Sequence, residues 1–225
     1  QTLDREALVA EIAARAGLPV LQGYAPDGVG KSSGVRFANG PFLDVFATPE
    51  PGTALMLRGE VDAAEALARK RDWAGRYLRR GDAPAGDDFP WSMALFRRGQ
   101  GLLTRIGVIE YDQAADAWAR PDFSGLLYRP ELAGEADARL TRVWLSAQDL
   151  SRAARDLAAL GYVAAGEWTS AFAPHAGARF AGPAADLVLC EGPDAVVRLD
   201  IAAGPGPALE LTPPGAPSLV LDETP

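Results

Sequence analysis

The sequence is poor in the residues that build metal centres and disulfides. Among its 225 residues there is one histidine, His175, and one cysteine, Cys190. A single cysteine excludes an internal disulfide, which agrees with a reducing compartment, so we expect a cytoplasmic protein. An iron site of two histidines and one carboxylate cannot be assembled from a single histidine.

The sequence also lacks an excess of positive charge and any long apolar run. Its 22 Lys and Arg residues are outnumbered by 30 Asp and Glu residues, and the net charge is −8. Binding of a phosphate backbone needs clustered cations, so we expect no nucleic-acid partner. No apolar run approaches the roughly 20 residues of a membrane-spanning helix, so we expect no membrane partner.

A hairpin is predicted over residues 34–46, where Asn-Gly-Pro at 39–41 closes a tight turn between two short strands. A degenerate copy of this segment occupies residues 177–189. Arg36 in the first copy corresponds to Arg179 in the second, at an offset of 179 − 36 = 143 residues. The recurrence indicates an internal duplication.

The predicted helices also recur at nearly this offset. They are predicted over residues 3–16, over 62–72 with Asp62 and Glu65 as a capping box, and between Asp149 and Gly161. Glycines end the first and last of these helices, 161 − 17 = 144 residues apart. Outside the hairpin, strands are predicted over 53–58, 76–80, 91–96, 105–111, 140–147, 177–181, 185–190, 195–202 and 208–212.

These elements give three strand–helix–three-strand units. Residues 1–112 hold two of them, 113–139 form a connector whose aromatic residues pack on a domain surface, and 140–212 hold the third. Residues 213–225 are expected to form a frayed, Pro-rich tail. The first unit lacks its opening strand, which we expect upstream of residue 1 or from another segment, because its sheet edge would otherwise stay open.

The βαβββ repeat resembles the vicinal oxygen chelate superfamily, which includes glyoxalases, extradiol dioxygenases and bleomycin-resistance proteins. The resemblance rests on residues 140–150, which lead through a helix to Leu160-Gly161-Tyr162. Residues 36–44, and 90–93 leading to 108–110, are similar to its glyoxalase-like branch. The resemblance implies an α+β fold in which repeated βαβββ units form curled mixed sheets around a cup, with the helices outside.

Metal-dependent members of that superfamily place a histidine in the first strand of a unit and a glutamate near the end of a last strand. Here Arg142 and Ala54 occupy the corresponding histidine positions. Glu110 and Glu210 remain as candidate catalytic or metal-binding carboxylates for an ion such as Mg²⁺ or Mn²⁺. The simpler interpretation is that these strand-end carboxylates face water.

Seven residues are candidates for ligand binding. Arg36 and Arg179 would clamp an anion, or else form ion pairs with acids at neighbouring strand ends. Trp144 alternates with Val143 and Leu145, so it would form an apolar wall inside the cup, or else fill the core of an empty one. The full set is Arg36, Asp44, Trp91, Met93, Arg142, Trp144 and Arg179.

The residues and the resemblance together lead us to expect a glyoxalase-like protein that binds a small molecule without the usual histidine-containing metal site. A homodimer that completes the cavity is a candidate assembly. The alternative is a metal-dependent lyase, isomerase or dioxygenase-type enzyme that acts on a small oxygen-rich or aromatic molecule. His175 is interpreted as a solvated loop residue, because nothing near it in sequence orients it.

Overall fold

The computed structural model describes residues 4–25, 31–46, 53–82, 89–97, 101–120, 123–132, 137–203, 209–211 and 217–221. These residues form sheets of three, four and seven strands and three α-helices, α1 (Arg5–Ala16), α2 (Val61–Arg71) and α3 (Leu150–Ala159). The predicted α+β class is confirmed. None of the described helices has the length and hydropathy needed to cross a bilayer.

The first sheet contains the predicted hairpin. Its order is β1 (Leu21–Gln22), β2 (Ser32–Arg36) and β3 (Phe42–Phe46), and all pairs are antiparallel. Gly40 has φ of 103°, a left-handed conformation that glycine adopts without strain. No described residue pairs with the outer edge of β3, so the segment expected there remains a prediction.

The second sheet and part of the third repeat one topology. In the second sheet, β4 (Leu55–Arg58), β5 (Gly75–Leu78), β6 (Trp91–Phe96) and β7 (Ile106–Tyr111) lie in the order β4-β7-β6-β5. In the third, β8 (Arg139–Ala147), β9 (Val163–Thr169), β10 (Ala176–Ala181) and β11 (Asp186–Glu191) lie in the order β8-β11-β10-β9. In both, the first and last strands pair in parallel and a helix connects the first two strands, which confirms the predicted repeat.

Three further strands extend the third sheet beyond β8. β12 (Ala195–Ala202) pairs antiparallel with β8, β14 (Ser218–Leu221) pairs in parallel with β12, and β13 (Leu209–Leu211) lies at the edge. The expectation of a frayed tail was wrong for residues 218–221, because Leu219, Val220 and Leu221 are buried in this sheet. Residues 213–216 and 222–225 of that tail lie outside the described residues.

Strand β9 was not predicted from the sequence. Most of its residues are exposed at the edge of the sheet, and Gly166 within it has φ of 93°. An edge strand of this kind has no buried face to impose alternation, so periodicity does not reveal it.

The helix ends are partly as predicted. Asp149 caps α3 by accepting a hydrogen bond from Arg152 N at 2.8 Å, and Gly17 ends α1 with φ of 64°. The capping box of α2 was wrong: its N-cap is Glu60, whose side chain makes no capping bond, while Glu65 forms ion pairs with arginines. The backbone N–H of Val61 donates to Glu110 Oε2 at 2.9 Å instead.

The connector contains three 3₁₀ turns, Asp116–Ala119, Leu126–Tyr128 and Pro130–Leu132. A further 3₁₀ turn, Gly101–Arg105, precedes β7. Trp118, Phe123 and Tyr128 of the connector are buried in one aromatic cluster. The expectation that its aromatic residues pack on a domain is confirmed.

The turn of the first hairpin joins the first sheet to the third. Asn39 Nδ2 donates to the backbone oxygens of Leu140 at 2.7 Å and Ala184 at 2.8 Å, and Leu140 N donates to Asn39 Oδ1 at 3.1 Å. We call these three hydrogen bonds the latch. Phe37 and Phe180, equivalent by the repeat offset, lie in one hydrophobic core. The side chain therefore holds two repeats together as well as closing a turn.

We expect Asn39→Ala to lower the free energy of unfolding by about 2–3 kcal/mol, because three hydrogen bonds of about 1 kcal/mol each are lost. Urea denaturation measures the effect. Asn39→Asp is the companion variant: it keeps the acceptor for Leu140 N but turns a carboxylate oxygen toward the two carbonyl oxygens, so its cost should match or exceed that of Asn39→Ala. A cost for Asn39→Ala below about 0.5 kcal/mol would show that the latch does not hold the repeats.

Candidate functional site

The candidate site is built on one face of the first hairpin. Successive side chains of a strand point to opposite faces, so Ser32, Gly34 and Arg36 share a face of β2. The register pairs Gly34 with Asp44 and Arg36 with Phe42 on β3. This face therefore presents a carboxylate and a guanidinium beside an aromatic ring.

The second sheet supplies the facing wall. Trp91 pairs with Tyr111 and Met93 with Ile109, so these side chains share a face. Helix α2 covers the opposite face, where Ala94 and Val108 pack with it. We call the space between the hairpin face and this wall the first cup; Phe42 and Tyr111 meet across it, with ring centroids 6.4 Å apart.

Aromatic side chains from separate segments close the first cup. Trp91 stacks on Phe89, with centroids 4.9 Å apart and planes 23° apart, and its ring lies 5.2 Å from that of Tyr128. The connector contributes part of this lining. We call the following residues the aromatic shell: Tyr24, Phe42, Phe89, Trp91, Tyr111, Trp118, Phe123 and Tyr128.

Asp44 is the carboxylate inside the aromatic shell. The Tyr128 hydroxyl donates to Asp44 Oδ2 at 2.6 Å, whereas Oδ1 is buried with no hydrogen-bond partner. Burial raises the pKa of Asp44, opposed by Tyr128 and by the nearby Ser32 hydroxyl. Ser32 Oγ itself does not reach hydrogen-bond geometry with any group and is also buried. Burial and the charge of Asp44 raise the pKa values of Tyr111 and Tyr128.

Arg36 lies beside Asp44 without pairing with it. Its Nη1 donates to the backbone oxygen of Leu127 at 2.7 Å, and its guanidinium lies 5.6 Å from the centre of the Phe42 ring. Burial lowers the pKa of Arg36; the charges of Tyr111 and Glu131 oppose this shift, and the charge of Arg58 adds to it less strongly. The first cup thus brings together four of the predicted ligand-binding residues, Arg36, Asp44, Trp91 and Met93.

The other three lie on the third sheet, on a face that we call the second cup, defined by Arg142, Trp144, Trp168, Arg198 and Asp200. Asp200 is its centre. Its Oδ2 accepts from Arg142 Nη1 at 3.1 Å and from Trp144 Nε1 at 2.9 Å, and its Oδ1 accepts from Arg198 Nε at 2.6 Å. Trp144 and Arg198 are fully buried. The second cup is therefore filled by its own side chains.

Aromatic rings and a loop complete the second cup. The Arg142 guanidinium lies 3.6 Å from the centre of the Trp168 ring, and Arg198 lies 4.7 Å from that of Trp144. Arg198 Nη1 also donates to Ser170 Oγ at 2.7 Å and to the backbone oxygen of Phe172 at 3.0 Å. At the margin of the second cup, Arg179 and Asp186 form an ion pair at 2.6 Å, which is the second of the two roles predicted for Arg179.

The residues beside Arg142, which the family resemblance places at a histidine position, do not suit a metal ion. Cross-strand register places Arg142, Asp200 and Val220 side by side on β8, β12 and β14. That row offers a guanidinium, a carboxylate already occupied by three donors and an aliphatic side chain. Among the described residues, no three His, Cys, Asp or Glu side chains lie close enough together to hold a metal ion.

The candidate carboxylates Glu110 and Glu210 are not brought together in either cup. Glu110 is exposed and its contact is with the start of α2, and Glu210 is exposed on the edge strand β13. His175 is exposed, and its Nδ1 lies 3.4 Å from the backbone oxygen of Ser170. The catalytic roles considered for Glu110 and Glu210 remain predictions.

A cleft of about 250 Å³ lies elsewhere, between the start of α3 and the turn that precedes β7. Its polar side chains serve local structure: Asp149 caps α3, and Asp194 Oδ1 accepts from Gln148 N at 3.2 Å. The cleft contains none of the buried, unpartnered polar atoms found in the first cup. We therefore place the candidate site in the first cup.

Sequence analysis missed Tyr128, Arg198 and Asp200. A signal for the last two exists, because Arg198 and Asp200 alternate with Leu199 and Ile201 in an otherwise apolar strand. Alternation of this kind indicates one buried face but does not show that the charged face is buried as well. Tyr128 has no local signal, since its partner Asp44 lies 84 residues away.

Comparison with known proteins gives structural relatives only. No protein-family model and no curated protein matches the sequence. A catechol 2,3-dioxygenase structure is 12% identical with a TM-score of 0.57, over 96% of this chain and 87% of that one. Homoprotocatechuate 2,3-dioxygenase from Arthrobacter globiformis is 13% identical with a TM-score of 0.57, over 96% and 75%.

A hypothetical protein from Staphylococcus aureus is 7% identical with a TM-score of 0.51; 76% of this chain matches it and spans 65% of its length. Identities this low establish the fold alone. The two dioxygenases belong to the vicinal oxygen chelate superfamily. The repeated βαβββ topology and these relatives show that the chain has the vicinal oxygen chelate fold.

Proposed function

We propose that the chain binds a small, planar molecule in the first cup. The observation that carries this proposal is Asp44 Oδ1, a carboxylate oxygen buried inside the aromatic shell with no hydrogen-bond partner among the residues that the structure describes. A buried polar atom without a partner costs about 1–3 kcal/mol, and a ligand that donates a hydrogen bond to it removes that cost.

The aromatic shell favours a flat ligand. Trp91 and Tyr111 each contact Tyr128, with ring centroids 5.2 Å and 5.9 Å apart. Stacking of a ligand ring among such rings contributes about 0.5–1.5 kcal/mol beyond the area it buries. Few polar groups in an aromatic lining are typical of small-molecule sites.

The proposal uses only part of the predicted ligand-binding set. Arg36, Asp44, Trp91 and Met93 belong to it, whereas Arg142, Trp144 and Arg179 already have partners in the second cup. This division supports one ligand site in the half of the chain that contains the first two repeats.

The experiment is a calorimetric titration with 2-naphthol, a planar probe with one hydroxyl donor, and with its saturated counterpart decahydro-2-naphthol. We expect 2-naphthol to bind and the saturated probe to bind at least roughly threefold more weakly, because it cannot stack. Trp91→Leu should remove this preference. Trp73→Leu is the matched control, since Trp73 packs on Phe96 outside the first cup. Failure of 2-naphthol to bind, or equal effects of the two variants, would reject the proposal.

A further inference from the structure

Arg36 is a buried cation without a carboxylate partner. Its exposure is 7%, and among the described residues its polar contact is the backbone oxygen of Leu127. Its Nε is buried and has no hydrogen-bond partner in the described part of the chain. A buried charge is costly unless it is paired and hydrogen-bonded, so this guanidinium is left with a strong donor and an uncompensated charge.

Neither of the described acids near Arg36 pairs with it. Asp44 Oδ2 accepts the hydroxyl of Tyr128. Glu131 is exposed and pairs with Arg129 at 3.0 Å. Arg58, on β4, adds a second positive charge that acts on Arg36. The charge of Glu131 acts on Arg36 as well, but Arg36 has no ion-pair partner among the described residues.

From this unpaired guanidinium we propose that the ligand of the first cup is an aromatic anion whose carboxylate or other oxyanion binds Arg36. The inference rests on the proposed function, since it specifies the chemical class of the molecule bound there. A guanidinium presents donors in a planar fork that matches an oxyanion, and Nε is one of the donors still unused.

The ring of such a ligand has a defined place. Phe42 lies under the Arg36 guanidinium at 5.6 Å and contacts Tyr128 at 5.4 Å, so the aromatic shell begins directly beside the cation. An oxyanion on Arg36 places the attached ring toward Tyr111 and Trp91. Burial raises the pKa of Asp44, and the hydrogen bond from Tyr128 opposes this shift.

The test compares 2-naphthoate with 2-naphthamide, a neutral molecule of nearly the same shape, by calorimetry at low ionic strength. We expect the wild-type protein to bind 2-naphthoate at least roughly tenfold more tightly than 2-naphthamide, as a charged hydrogen bond in a shielded site provides. Arg36→Gln should bring the two affinities to within about twofold of each other. Arg155→Gln is the matched control, because it removes one positive charge from the exposed face of α3 and should leave the ratio unchanged.

Arg58→Gln gives an independent arm, because Arg58 is exposed and its replacement does not open the core. It should lower the preference for 2-naphthoate roughly twofold to threefold, and added salt should weaken 2-naphthoate but not 2-naphthamide. Equal wild-type affinities for the two probes would overturn the assignment of an anion while leaving the proposed function in place. Absence of binding by 2-naphthoate, 2-naphthamide and 2-naphthol alike would overturn both.

Discussion

The replacement Asp200→Asn is expected to lower the free energy of unfolding by about 3–5 kcal/mol, the cost of removing one partner from a buried ion pair. The carboxylate is 2% exposed and accepts from two guanidinium groups and one indole. Asparagine has nearly the same shape, but its amide nitrogen cannot accept a hydrogen bond, so the loss comes from the charge and from the acceptor oxygen that the nitrogen replaces. The replacement leaves the buried guanidinium groups of Arg142 and Arg198 close together without the carboxylate that both contact.

Asp186→Asn provides the control, and urea denaturation at one pH measures both variants. Asp186 also pairs with an arginine, at 2.6 Å, but side-chain exposures of 36% for Arg179 and 21% for Asp186 let water and salt screen that pair. We expect a cost of about 1 kcal/mol or less there. Equal costs for the two variants would mean that Asp200 does not hold the second cup together.

The parts of the fold that the sequence predicted are those with strong local signals. The Asn-Gly-Pro turn, the Asp149 cap and the alternation of Val143 and Leu145 each reflect a nearest-neighbour preference of the chain, and all three are present in the structure. The duplication was visible because it compares the sequence with itself. Both kinds of signal are independent of tertiary contacts.

The parts that were missed depend on contacts between distant segments. Strand β14 follows a Pro-rich stretch whose sequence has neither a helical nor an alternating pattern. It is a strand because β12 offers an unpaired edge and a buried face for Leu219 and Leu221. The N-cap of α2 was misplaced for a similar reason. Glu110, 49 residues from Val61, satisfies the helix start in place of the predicted local cap.

The candidate residues were named from the sequence, but their division between the two cups was not. Arg36 and Asp44 were identified from the hairpin, and Trp91 from a strand, yet alternation on a strand cannot show which of two cups a side chain enters. Arg142 and Trp144 seemed equivalent to Trp91 at that level. What separates them from Trp91 is Asp200, whose carboxylate accepts hydrogen bonds from Arg142 Nη1 and from Trp144 Nε1.

Replacement of Trp144 tests whether this residue forms a ligand wall or belongs to the core. It has the second large expected effect. The side chain is fully buried, so Trp144→Ala should lower the free energy of unfolding by about 3–5 kcal/mol through the cavity that it leaves. Trp144→Phe should cost less. It retains most of the ring under the Arg198 guanidinium but loses the bond from Nε1 to Asp200, worth about 1.5–3 kcal/mol for a charged acceptor.

The hydrogen bond can be separated from packing by repeating Trp144→Phe in the Asp200→Asn background. The cost of Trp144→Phe should then shrink by about 1 kcal/mol or more, because the acceptor has lost its charge before the donor is removed. Packing around the ring is unchanged between the two backgrounds, so only the bond contributes to the difference. A Trp144→Ala protein that unfolds within about 1 kcal/mol of the wild type would instead place Trp144 in a ligand-accessible wall, since a core tryptophan cannot be truncated at so small a cost.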